Sequence, residues 1–182
     1  MRTVILISFV LSALTTASVH AQEDQCTGIV SNDPERMYDF KVGDWDISWR
    51  NRNGAGGFFE FEAQGHVYHL MDNDILMDEQ TSDYFKGVTF RTWNPQTSQW
   101  IVRWLPANST FDHPISAQLE DCVPVERHNQ LAPDGREVEV YTRFVDITED
   151  SFSFRQNWSF DGGDTWVEDV LYYDARRAER SH

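Results

Sequence analysis

The sequence predicts an all-β fold, an antiparallel up-and-down barrel of about eight to ten strands behind a short N-terminal helix. Three observations predict it. Segments of alternating apolar and polar residues recur every 8–12 residues, as in a barrel or sandwich. Turn signals such as Asn94-Pro95, Pro133-Asp134-Gly135 and Asp161-Gly162-Gly163 separate them. Seven Trp, twelve Phe and six Tyr in 182 residues supply enough area for one buried core, which also excludes disorder. A barrel fits better than a sandwich because it leaves no edge strand to protect.

Residues 1–21 read as a secretory signal, with Arg2 at the start, an apolar run from Val4 to Leu14, and Val19-His20-Ala21 as the cleavage site. That run is too short to span a membrane. Residues 22–36 form a polar leader and the start of a short helix, with Asn32 or Asp33 as cap and Pro34 in the first turn. The helix is expected to run about two turns, to Val42-Gly43. The barrel domain spans 37–177, and 178–182 is a tail.

The first strand is Asp44–Arg50, where Trp45, Ile47 and Trp49 share a face. Phe58–Ala63 follows the Gly54–Gly57 turn, then Val67–Met71 and Ile75–Thr81 flank Asp72-Asn73-Asp74. Gly87–Trp93, Gln99–Leu105, Ile115–Leu119, Val138–Ile147, Ser151–Trp158 and Trp166–Tyr173 complete the set. Residues 106–135, with four Pro and Cys122, read as a long loop holding one strand.

One hairpin allows a guess at register. A two-residue turn at Tyr84-Phe85 pairs Asp83 with Lys86 and puts Asp78 across from Arg91, which opposite charges favour. The next hairpin pairs Trp93 with Trp100, Arg91 with Val102 and Thr89 with Trp104. One sheet face then carries Leu76, Asp78, Gln80, Thr89, Arg91, Trp93, Trp100, Val102 and Trp104. Large aromatics mixed with a few polar groups suit a small-molecule pocket, and equally a barrel interior filled for volume.

The chain carries 30 acids against 15 bases, a formal charge of −15. Such a surface repels phosphate backbones and anionic lipid, so nucleic-acid binding and membrane insertion are not expected. Two cysteines in an exported chain imply one disulfide, Cys26–Cys122, and no Cys-x-x-Cys redox spacing is present. His66 and His69 point to opposite faces of a strand. Asp112, His113, Asp121, Glu126 and His128 show no ligand spacing, so no metal is expected, and no cofactor is called for. Neither a G-x-S-x-G elbow nor a phosphate-cradling loop occurs. General acid–base candidates are His69, Asp78 and Glu60, since a carboxyl inside a barrel is desolvated. Ser159–Trp166 is similar to the Asp-box hairpin repeated in sialidase propellers; a single copy reads as a turn device.

Several motifs in one order carry a resemblance. They are Gly43-Asp44-Trp45, Ile75–Glu79, Trp93-Asn94-Pro95 followed by Trp100 and Trp104, Arg155-Gln156-Asn157-Trp158, and Asp161–Trp166. With them, residues 37–177 resemble an uncharacterised group of bacterial proteins with a lipocalin-like (calycin) barrel. The resemblance implies that Trp45 seals the barrel floor. It departs from the group at 106–135 and at Gln80, and it implies a fold more than an activity.

The expected function is an exported binding protein, periplasmic or secreted, for a small, partly apolar molecule. Trp49, Trp93, Trp104 and Trp158 form the walls, and Asp78, Gln80, Arg91 and Gln156 supply polar contacts. The alternative is a lyase, isomerase or hydrolase using a buried carboxylate or His on a small organic or sugar-derived substrate. Whether the chain is an enzyme, and whether it forms a homodimer, stays open at this point.

Overall fold

Alternation dictates the architecture: Trp45, Ile47 and Trp49 bury on one side of the first strand while Asp44, Asp46 and Ser48 face outward. The computed structural model describes residue 26, residues 28–53 and residues 56–179. The proposed signal 1–21 lies outside the described residues, as do leader residues 22–25 and 27, the first half of the Gly54–Gly57 turn (54 and 55) and the end of the tail (180–182).

Among the described residues there are ten strands. They are β1 (Gly43–Arg52), β2 (Phe58–Leu70), β3 (Ile75–Ser82), β4 (Lys86–Asn94) and β5 (Gln99–Pro106). The second half holds β6 (Ile115–Glu120), β7 (Val123–Leu131), β8 (Glu137–Val145), β9 (Ser151–Ser159) and β10 (Val167–Arg177). Each pairs antiparallel with the next, and β10 pairs with β1 to close the barrel. Closure satisfies the ladder hydrogen bonds that an edge strand would leave open.

The sequence expectation differs from this in four places. Two segments expected around Ala63 and Val67 are one strand, β2, of 13 residues. Its inward Gly65 leaves room for Trp45 and Ile47; a Cβ there would sit 2.9 Å from Ile47 Cδ1. The stretch 106–135 is not mainly loop, because β6 and β7 occupy much of it. Pro124 is tolerated as the second residue of β7, at the strand's start. The β3–β4 register is offset by two from the expected one, so Asp78 pairs with Thr89 and Leu76 with Arg91. Ser82 sets this register: its Oγ accepts the N–H groups of Tyr84 and Phe85, placing the turn at Asp83-Tyr84. A two-residue offset keeps every side chain on its face, so the predicted inward set is preserved. The β4–β5 register matches expectation.

The fourth difference is at the N-terminus. Asp33 Oδ1 caps Glu35 N–H at 3.0 Å, as expected, but two 3-10 turns follow, Pro34–Arg36 and Asp39–Lys41, in place of one helix. Tyr38 breaks the run (φ −100°, ψ 2°), which lets Met37, Tyr38, Phe40 and Lys41 all bury. A single helical stripe covers less of the circumference.

These turns plug one end of the barrel. Trp45 Nε1 donates to Lys41 O at 2.6 Å, and Trp100 Nε1 to Pro34 O at 2.8 Å. Phe40 meets Phe144 and Phe152 edge-on, Trp45 packs on Phe152, and the Arg177 guanidinium covers the Trp45 ring. The disulfide Cys26–Cys122 ties the leader to the β6–β7 turn at this same end.

Candidate functional site

The inward faces of the strands continue past the plug into a cavity of about 540 Å³. It occupies the other half of the barrel, toward the β1–β2, β3–β4 and β5–β6 connections. The volume falls in the range of small-molecule sites.

Its walls are aromatic because alternate positions of adjacent strands are aromatic. Trp49 on β1 stacks with Phe61 on β2 and lies 4.5 Å from the Tyr173 ring of β10. Tyr173 stacks in turn on Phe154 of β9 at 4.7 Å. Phe85 meets Trp49 and Trp104 edge-on, and Trp158 completes the lining across the barrel. Gly87 is required beside Trp104, since a Cβ there would meet the indole at 2.5 Å and Leu105 O at 2.7 Å.

Toward the plug the walls give way to a polar floor of Gln80, Thr89, Arg91, Glu126, Thr142 and Gln156. Trp158 Nε1 donates to Gln156 Oε1 at 3.0 Å, and Gln156 Nε2 reaches Thr142 Oγ1 at 3.4 Å. Beneath them lies a buried charge quartet. Lys41 Nζ is 2.8 Å from Asp78 Oδ2, Arg91 bridges Asp78 and Glu126 at 3.3 Å each, and Tyr38 OH donates to Glu126 at 2.9 Å. Gln80 Nε2 donates to the other Asp78 oxygen.

The quartet explains its own titration. Burial drives the Lys41 ammonium down to about 8, with Arg91 adding to the fall and Asp78 opposing it. Burial alone pushes the Asp78 carboxyl up, but Lys41 and Arg91 together hold it below its usual value. Burial pushes the Tyr38 and Tyr173 phenols well above theirs, with Glu126 and Asp78 respectively adding to it. At the mouth, burial lowers the His128 imidazole below 6.5.

Six residues chosen from the sequence line the cavity together: Trp49, Gln80, Arg91, Trp104, Gln156 and Trp158. Asp78 sits below the floor, and its side chain bonds two residues of the cavity lining, Arg91 and Gln80. Trp93 packs on Trp100, 6.0 Å between rings, near the plug. Glu60 is on the outer surface, its side chain 64% exposed and paired with Arg50, because it has the opposite parity to inward Phe61. His69 faces inward at the plugged end, with Nε2 3.8 Å from Asp39, and does not line the cavity.

Sequence reasoning passed over Glu126, His128, Lys41, Tyr38 and Thr142 as site residues. Glu126, His128 and Gln130 alternate along β7, a signal that appears only once 123–131 is read as a strand.

No family model matches the chain, and no curated protein matches it. Among solved structures the chain is similar to the S-type phycobiliprotein lyase CPES from Guillardia theta, at 13% identity and a TM-score of 0.52. The match covers 80% of this chain and 93% of that one. The likeness is one of fold, and with the closed antiparallel barrel it fits a calycin-like architecture.

Proposed function

We propose that this chain is an exported binding protein, periplasmic or secreted, that holds a small, partly apolar molecule in its barrel. The observation that carries the reading is the cavity itself: aromatic walls at one end over a polar floor at the other. Trp49, Trp104 and Trp158 supply walls, and Gln80, Arg91 and Gln156 supply polar contacts. The disulfide supports an oxidising compartment, and the N-terminal 21 residues support export. Among the described residues no helix is long and apolar enough to cross a membrane.

A second reading, a barrel enzyme, has one observation in its favour. His128 lines the cavity with Nδ1 lacking a protein partner, and burial keeps the ring neutral at pH 7. The structural neighbour is named as a lyase, which is compatible with that reading. Asp78 is a poor base because two cations hold it ionised, and Glu60 is outside the barrel. His128 therefore replaces both as the residue to test.

Native mass spectrometry of the protein from its own source decides between them. An extra mass that leaves on unfolding, on a chain beginning at Gln22 with its disulfide intact, is the expected result. A chain that is free of any bound mass overturns the carrier reading. Substrate screening with wild type and His128→Ala then becomes the test of the enzyme.

A further inference from the structure

The cavity lining also states what charge its occupant carries. Eight buried polar side-chain atoms among the described residues lack a hydrogen-bond partner, and four belong to the cavity: Trp49 Nε1, Asn51 Oδ1, Arg91 Nε and His128 Nδ1. Buried polar groups of this kind are normally satisfied, and an orphan destabilises the fold unless something bonds it. Two of the four, on Trp49 and Arg91, are N–H donors and ask for an acceptor.

The charges narrow the answer. The lining contains two cations, Arg52 and Arg91, two anions, Asp112 and Glu126, and a neutral His128. The quartet beneath is likewise balanced, Lys41 and Arg91 against Asp78 and Glu126. Arg52 and Asp112 are exposed, so an ionic guest at the floor would add an uncompensated charge beside the buried, balanced quartet. Arg91 is also already paired with two carboxylates, which weakens its pull on a third. Its two terminal nitrogens each bond a carboxylate, Asp78 and Glu126, so its charge is already shared between two anions, while Nε–H has no partner. One N–H suits a single carbonyl oxygen.

We infer that the cavity selects an uncharged, flat aromatic or conjugated molecule whose carbonyl oxygen lies at the floor against Arg91. This rests on the carrier reading above and names the class of molecule carried. The aromatic walls take the ring system, and Thr89, two residues before Arg91 on β4, also lines the cavity.

One naphthalene scaffold tests it in fluorescence titrations of the mature, disulfide-bonded protein. The three probes are 2-(dimethylamino)naphthalene, its 6-propionyl ketone and its 6-carboxylate. The ketone is expected to bind at least fivefold more tightly than the unsubstituted ring and at least tenfold more tightly than the carboxylate. Equal affinity for ketone and unsubstituted ring overturns the acceptor site. A carboxylate that binds as well as the ketone overturns the neutral cavity. If none of the three binds, the carrier reading itself fails. Glu126→Gln, confirmed folded by near-ultraviolet circular dichroism, leaves Arg91 short of a countercharge. It is expected to improve carboxylate binding at least tenfold, and an unchanged carboxylate affinity also overturns the charge argument.

Discussion

The two ends of the barrel are built from the same residue types and put them to opposite uses. At the plugged end, aromatic rings interlock edge-to-face and the buried charges bond one another, as in Lys41–Asp78–Arg91–Glu126. At the open end, aromatic rings surround space and several polar atoms have no protein partner. A closed ladder with one end stapled and plugged is rigid enough to keep a cavity at the other. The difference teaches that Trp and buried charge do not by themselves mark a site. Nor do unpaired polar atoms alone, since His69 Nδ1 and Trp93 Nε1 lack partners near the plug; what marks the site is unpaired atoms beside enclosed space.

If that division holds, damage at the plugged end should cost stability and spare binding. The largest effect is expected from the disulfide, which links residues 96 apart. In the chain-entropy model its loss costs about 4–5 kcal/mol. Cys26→Ser with Cys122→Ser should shift the urea midpoint strongly while leaving the folded protein's affinity for the ketone probe within twofold. Asp78→Asn comes next. It leaves Lys41 and Arg91 buried with one countercharge, and breaking a buried pair costs about 3–5 kcal/mol. Tm should fall by roughly 10 °C for a domain of this size. A shift of under about 3 °C would show that water reaches the quartet and that the plug is loose.

The open end should show the reverse. Trp104 is only partly buried and borders space, so Trp104→Ala should cost well under the roughly 3–5 kcal/mol of a fully packed aromatic. Its effect belongs on binding, about tenfold in Kd for the ketone probe, or about 1.4 kcal/mol. A large loss of stability with unchanged affinity would move Trp104 into the core and shrink the cavity wall to Trp49 and Trp158.

The same contrast explains which parts were legible in the sequence. Strict alternation in β1 and the paired Trp93–Trp100 hairpin exposed the inward face, and six of its neighbours proved to line one cavity. Parity survives a register error of two, so misplacing the turn by one residue at Ser82 did no harm to the face. Glu60 is a candidate that alternation itself argues against, because Phe59, Phe61, Ala63, Gly65 and Val67 form the apolar parity of β2 while Glu60, Glu62, Gln64 and His66 form the polar one. Glu126 and His128 were hidden because Cys122, Pro124 and Pro133 made β7 look like loop. Lys41 was hidden because a helix-end lysine ordinarily faces water, and here a break at Tyr38 turns it inward.

The remaining predicted effects are titrations, and they report the two ends in separate pH windows. Lys41 at the plugged end falls from 10.5 unfolded to about 8 folded. Between those values the unfolded chain holds more protons, so this group makes stability rise with pH. Tyr38 and Tyr173 work the other way: their raised folded values lend stability below pH 10 that is lost above it. Urea unfolding should therefore show stability increasing from pH 8 toward 10 and then dropping. His128 at the open end acts lower. Its folded value lies below 6.5, so as pH falls through 6.5 the unfolded chain takes up a proton first and stability declines. The groups facing it are Glu126, Asp112, His113 and Gln130, of which Glu126, Asp112 and the Gln130 hydrogen bond pull the value up and His113 pulls it down. Asp112 titrates below 3.8, outside this window. His128→Gln should flatten the slope between pH 5 and 6.5 without altering the rise between 8 and 10. A variant that changes both windows would mean the ends communicate through the Arg91–Glu126 pair, the one place where the floor of the cavity and the buried quartet share atoms.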